Sequence, residues 1–101
     1  VWIAFAVGAA GTVMVDDGAR AALLRGGSSL LPAGVVSTSG GFDADDAVEV
    51  VDRSGVPFAK GISRIPAEVL DSVVGRRSAE LPADVSPVAI HRDDLVVLPD
   101  G

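Results

Sequence analysis

Short hydrophobic runs punctuate this chain at uneven intervals, each stopped by residues with a definite turn preference. Thr12-Val13-Met14-Val15 ends at Asp16-Asp17-Gly18, which predicts a short buried strand. Asp16 has the chemistry of an N-cap, a carboxylate that accepts an orphan backbone N–H. Behind it, Ala19-Arg20-Ala21-Ala22-Leu23-Leu24-Arg25 is rich in helix formers. Gly26-Gly27 supplies the left-handed stop, and Arg25 complements the carbonyl end of the helix. Ser28 to Gly34 reads as a connection and Gly34-Val35-Val36-Ser37-Thr38 as a second strand, broken by Ser39-Gly40-Gly41. Ala47 to Asp52 reads as a third strand, with Val48 and Val50 on one face. Arg53-Ser54-Gly55 has the length of a hairpin turn, and Pro57 to Ser63 returns as a fourth strand. Pro57 stands at its start, where a missing N–H is tolerated.

The period then lengthens. Pro66 to Val74 places Val69, Leu70, Val73 and Val74 on one helical face, with Pro66 suited to the first turn and Gly75 to the stop. Arg76 to Pro82 reads as a loop or one extra turn. Val88-Ala89-Ile90 and Leu95-Val96-Val97-Leu98 are expected as closing strand segments, separated by His91-Arg92-Asp93-Asp94. There is no internal repeat. A doubly wound sheet needs repeated βα units, which this order lacks. The expected fold is α+β, mainly β: a small, partly closed mixed barrel of five to six short strands carrying two small helices on its outside.

Composition narrows this picture. At 101 residues the chain has the size of one domain. Only four residues are aromatic (Trp2, Phe5, Phe42 and Phe58), so the core must be aliphatic. With no Cys, disulfides, thiolate metal sites and a Cys nucleophile are excluded, and a reducing, cytoplasmic setting is expected. No apolar run approaches the roughly 20 residues of a membrane helix, because Asp16, Asp17 and Arg20 interrupt the N-terminal stretch. Val1 to Val7 has the hydrophobicity of a signal-peptide core but no basic stretch before it. The chain begins at Val1 rather than Met, and is expected to be a cut from a longer polypeptide.

Charge bears on partners. Nucleic-acid affinity rests on phosphate neutralisation, and a net charge of −6 supplies no overall field for it. Local basic clusters remain at Arg20 with Arg25 and at Arg76 with Arg77. A solvated helix face, and pairing of Arg76 and Arg77 with Glu80 and Asp84, are the simpler readings of these clusters.

The remaining chemistry-bearing residues lack the context that chemistry requires. A phosphate-binding loop needs Gly-rich backbone ahead of a helix and a Lys; the one Lys, Lys60, falls inside a predicted strand. Gly8-Ala9-Ala10-Gly11 reads as a flexible lead-in. His91-Arg92-Asp93 matches three residues of a protein-kinase catalytic loop without the downstream Asn or an Asp-Phe-Gly. It reads instead as a polar interruption, with His91 half-buried and Arg92 paired to a carboxylate. Asp16-Asp17, Asp45-Asp46 and Asp93-Asp94 have no calcium-loop spacing and suit caps and turns. Ser28 and Ser29 with His91 would need triad geometry that no nucleophile-elbow motif supports. No catalytic, cofactor or metal residue is therefore assigned.

Several segments nevertheless carry a combined pattern: Gly11 to Ala19, Gly27 to Val35, Gly41-Phe42, Val48 to Val51, Ala59-Lys60-Gly61, Gly75 to Ser78 and Ile90 to Leu98. Together with Trp2-Ile3-Ala4, they resemble the C-terminal PUA domain of bacterial glutamate 5-kinases. The sequence departs from that family at Ser28, where a Lys is frequent, and at Asp45, where Phe-x-x-Gly-Asp has Gly. Ser63-Arg64-Ile65-Pro66 also stands in place of an Asn-Tyr-Ser-Ser stretch. The resemblance implies a PUA pseudo-barrel over residues 11–101 behind a leading segment, 1–10, from an upstream amino-acid kinase domain. It implies that the parent phosphorylates glutamate with ATP and Mg²⁺, the first step of proline biosynthesis. This chain is expected to be inactive alone, to serve assembly or regulation, and to sit in a homo-oligomer of the parent. PUA modules of pseudouridine synthases and archaeosine transglycosylases bind RNA through the first helix and the strand after it. Carried over, that makes Arg20, Arg25, Ser28, Ser29 and Gly34 the candidate RNA or partner surface, with Gly34 allowing close backbone approach; Arg76 and Arg77 join it as a second basic cluster.

Overall fold

The structure is a computed structural model that describes residues 10–75, 81 and 88–98. Five strands form one mixed sheet: β1 (Gly11–Val15), β2 (Val35–Ser39), β3 (Ala47–Val51), β4 (Pro57–Ile62) and β5 (Leu95–Val97). Their order is β2-β1-β3-β4-β5, antiparallel throughout except for the parallel β1–β3 pair. A parallel pair needs a crossover, and the chain makes it through helix α1 (Asp17–Arg25), a 3₁₀ turn at Pro32–Gly34, and β2. The second helix, α2 (Ala67–Val73), lies between β4 and β5.

The strand alternation is as expected. Val13 and Val15 of β1, Val48 and Val50 of β3 and Ala59 of β4 are fully buried. Leu23 enters their core from α1, and Ala67, Leu70 and Val73 enter it from α2. The helices therefore complete the wrapping of the core rather than decorating a closed barrel. In α2 the fully buried stripe is Ala67, Leu70 and Val73, while Val69 and Val74 pack at its margin. Pro66 stands at the N-cap, one residue earlier than the first-turn position expected for it.

Two further sequence expectations are corrected. Val88-Ala89-Ile90 is not a strand; it makes one isolated bridge, Leu30 to Ile90. There, Leu30 N–H donates to Ile90 O (2.9 Å) and Ala89 N–H to Leu30 O (2.8 Å). These bonds join the segments ahead of β2 and β5, the two edges of the sheet, and give the partial closure of the barrel. Ala10 and Gly11 do not form a flexible lead-in: Gly11 opens β1 opposite Val48, and Ala10 N–H donates to Ala47 O (2.7 Å). Residues 1–9 lie outside the described residues.

Asp16 and Asp46 act locally, as their turn contexts suggest, whereas Asp94 pairs with the distant Arg64 at 3.6 Å. Asp16 Oδ1 accepts from Ala19 N–H (2.7 Å) and caps α1, which ends where Gly26 N–H bonds Leu23 O (3.1 Å). Asp46 Oδ2 accepts from Asp43 N–H (2.8 Å). Asp45 adopts φ +70°, the one left-handed non-glycine among the described residues. That conformation costs a residue with a Cβ and suits Gly, which accounts physically for the Gly of the family pattern at this step.

Candidate functional surface

Of the candidate residues, Arg20 and Arg25 lie on α1, and Ser28, Ser29 and Gly34 lie on the connection between α1 and β2. Gly34 sets their spacing. A Cβ on Gly34 would lie 2.7 Å from Ala19 Cβ, so its missing side chain lets the 3₁₀ turn approach α1. Asp16 N–H, at the head of α1, donates to Gly34 O (3.0 Å) and fixes the same approach. Gly34 thus makes a close approach to the chain's own first helix.

Arg20 is engaged within the fold. Its Nε lies 3.7 Å from Asp52 Oδ2, and its guanidinium sits 5.6 Å from the centre of the Phe58 ring. Asp52 is held in turn, its Oδ1 accepting from Ser54 and Val56 N–H (2.8 and 3.1 Å) across the β3–β4 turn. Arg20 therefore ties α1 to that turn. At 44% side-chain exposure for Arg20 the ion pair is weakly stabilising, on the order of 0.2–1 kcal/mol. Arg25 is exposed in the last turn of α1, without an ion pair among the described residues.

Barrel closure brings a further cation to this loop. Arg92 N–H donates to Ser29 Oγ (2.9 Å), and Arg92 Nη1 reaches Gly27 O (3.4 Å). Arg92 was expected to pair with a carboxylate; instead Arg64 makes such a pair, with Asp94 at 3.6 Å. No local signal in the sequence places Arg92 beside Ser29, because their proximity follows from the Leu30–Ile90 bridge. Arg76 and Arg77, with Glu80 and Asp84, lie outside the described residues.

Of the residues with catalytic potential, His91 has a structural partner. His91 Nδ1 accepts from Asp93 N–H (3.1 Å) and caps the 3₁₀ turn Arg92–Asp94. A triad needs Nδ1–H directed at a carboxylate and Nε2 free to take a serine proton. With Nδ1 accepting, a neutral imidazole carries its proton on Nε2, so that arrangement does not form. The 3.5 Å approach of Nδ1 to Asp93 Oδ2 becomes an ion pair only on protonation. Lys60 lies in β4 opposite Glu49 of β3, as its position in a predicted strand required. Among the described residues no group of three or more His, Asp or Glu side chains is arranged to hold a metal ion. Nor is any described helix long and apolar enough to cross a membrane.

Comparison with known proteins agrees with this architecture. The chain is 41% identical over 100 residues to a glutamate 5-kinase of Syntrophotalea carbinolica and 44% identical over 101 residues to one of Myxococcus xanthus. These matches take in 95% and 96% of this chain but 27% of each kinase, so the chain spans about a quarter of the curated relatives it matches. Among solved structures, it superimposes on a PUA domain of Aeropyrum pernix K1, crystallised as a tartrate complex, with a TM-score of 0.65 and 28% identity. That superposition covers 82% of this chain and 43% of the other. Residues 11–84 match the PUA domain family, whose architecture the mixed sheet and its closing bridge share, and the chain belongs to that family.

Proposed function

We propose that this chain is the non-catalytic PUA module of a glutamate 5-kinase polypeptide and serves its assembly or regulation. The observation that carries the reading is the 41–44% identity along nearly the whole chain to a 27% share of two such kinases. In this reading an amino-acid kinase domain elsewhere in the polypeptide phosphorylates L-glutamate with ATP and Mg²⁺, opening proline biosynthesis in the cytoplasm. The commitment of Asp16, Asp52 and His91 to backbone caps supports a scaffolding role for this part. Nucleic-acid binding is the lesser reading. Arg20 is drawn to Asp52, Gly34 is covered by α1, and the net charge of −6 opposes a polyanion.

The test compares the parent polypeptide with a version truncated before Gly11, and with the 101-residue chain alone. ATP- and glutamate-dependent turnover is expected from both longer proteins, with the truncation changing oligomeric state or effector response. Turnover by the 101-residue chain alone would overturn the proposal. Retention of structured tRNA in a gel shift near physiological salt would replace it with the RNA reading, since screening removes weak phosphate attraction there.

A further inference from the structure

Both helices send their buried side chains to one side of the sheet. The opposite side carries a row in strict register: Ser39, Thr12, Glu49, Lys60 and Val96, one from each strand. Glu49 and Lys60 are direct partners at the middle of this row, both half-buried. Opposite charges placed so usually pair across strands. Among the described residues, however, neither makes an ion pair or a side-chain hydrogen bond, with each other or with anything else. On the same face, Met14 of β1 and Ile62 of β4 are uncharged and half-buried.

From this we infer that the outer sheet face is a self-association surface whose partner is a second copy of this chain, related by a two-fold axis between β3 and β4. The charge pattern selects that partner. A two-fold interface is self-complementary, so residue i meets j' and j meets i'. An axis lying in the interface, parallel to the strands and running between β3 and β4, sets Glu49 against Lys60 of the second copy, twice. The face is neutral at its centre although the chain as a whole carries −6, so a second copy is least repelled here. Five strands about 4.8 Å apart and some 16 Å long present a patch on the order of 400 Å². That is about half of what each partner gives to a standard interface, so the dimer is weak, and a longer polypeptide would strengthen it by holding copies together. The inference gives the assembly role a surface and rests on that reading for its biological setting.

The test is sedimentation equilibrium on the 101-residue chain up to about 1 mM, a range suited to an interface of this size. Wild type is expected to show a reversible monomer–dimer equilibrium. Lys60→Glu and Glu49→Lys, each placing like charges across the axis, are expected to weaken it about tenfold or more. An equimolar mixture of the two variants restores association, because every Glu then faces a Lys. Circular dichroism and thermal melts establish that each variant is folded; the double swap E49K/K60E keeps the pair and provides a dimer-competent control if one single variant unfolds. A wild-type chain that stays monomeric over the whole range would overturn the inference. So would single variants that dimerise like wild type, or a mixture that stays dissociated. None of these outcomes bears on kinase membership, which the truncation experiment decides by turnover.

Discussion

Replacing Asp45 by Gly should stabilise the domain. Asp45 is held at φ +70° by bonds on both sides: its N–H donates to Ser63 O (2.6 Å), and Ser63 N–H donates to Asp46 O (3.0 Å). This two-way link ties the β2–β3 connection to the end of β4, so the backbone cannot relax out of the left-handed region without losing both bonds. For an L-residue that region costs roughly 1–2 kcal/mol, at the lower end for Asp. Glycine removes this cost but adds roughly 0.5–1 kcal/mol through the greater freedom of its unfolded chain. Asp43, Asp45 and Asp46 stand within four residues, and losing one carboxylate also relieves their repulsion. The net expectation is a gain of about 0.5–1 kcal/mol. For a domain of this size that corresponds to a rise of about 2–8 °C in Tm.

The assay is thermal unfolding followed by circular dichroism, with two companion variants to separate the causes. Asp45→Ala removes the carboxylate but keeps a Cβ at φ +70°, and should fall below wild type. Asp45→Asn removes the charge while tolerating the left-handed region, and should sit between wild type and Asp45→Gly. If Asp45→Gly melts at or below the wild-type temperature, the backbone at residue 45 is not strained and the reasoning fails. If Ala and Gly raise Tm equally, charge alone is responsible.

Three other outcomes follow from the same geometry. Gly34→Ala, whose new Cβ would meet Ala19 Cβ at 2.7 Å, should lower stability by about 1–3 kcal/mol in chemical denaturation. Ala19→Gly in the same chain should recover part of that loss, a coupling that a double-mutant cycle reads directly. Gly61→Ala places a Cβ 2.7 Å from Ile90 Cγ2 and 2.9 Å from the Asp94 carbonyl, so a cost of about 2–3 kcal/mol is expected. Hydrogen exchange at the Leu30 amide should accelerate with it, because that amide closes the barrel on Ile90. Asp16→Ala removes the cap bond to Ala19 N–H and should cost about 1 kcal/mol in a urea melt, with m unchanged.

Local rules made much of the fold legible. Asp16 as cap, Gly26 as stop, Pro57 at a strand start and the Val48/Val50 alternation each act over four residues or fewer, and the structure has them all. Where the sequence expectation missed, the deciding partner was distant. Val88-Ala89-Ile90 has the composition of a strand yet finds a single bridge, because Leu30 is its only strand-like partner among the described residues. Arg92 was assigned a carboxylate and received a carbonyl, since closure delivers it to Gly27 and Ser29 instead. Arg20 carried no sequence sign of its contacts with Asp52 and Phe58, residues 32 and 38 positions away.

By itself, then, the sequence determined the two helices, the first four strands, the aliphatic core and the family pattern, all of which depend on side-chain period and short-range backbone chemistry. The resemblance also implied a close backbone approach at Gly34, to RNA or a partner. Tertiary structure decided that Gly34 packs against Ala19, which charges on α1 are already used, and that Glu49 and Lys60 lie side by side but unpaired among the described residues. Those matters depend on strand register and on the closing of a mixed sheet. A register is chosen by the burial of whole faces at once, so no residue or short motif encodes it alone.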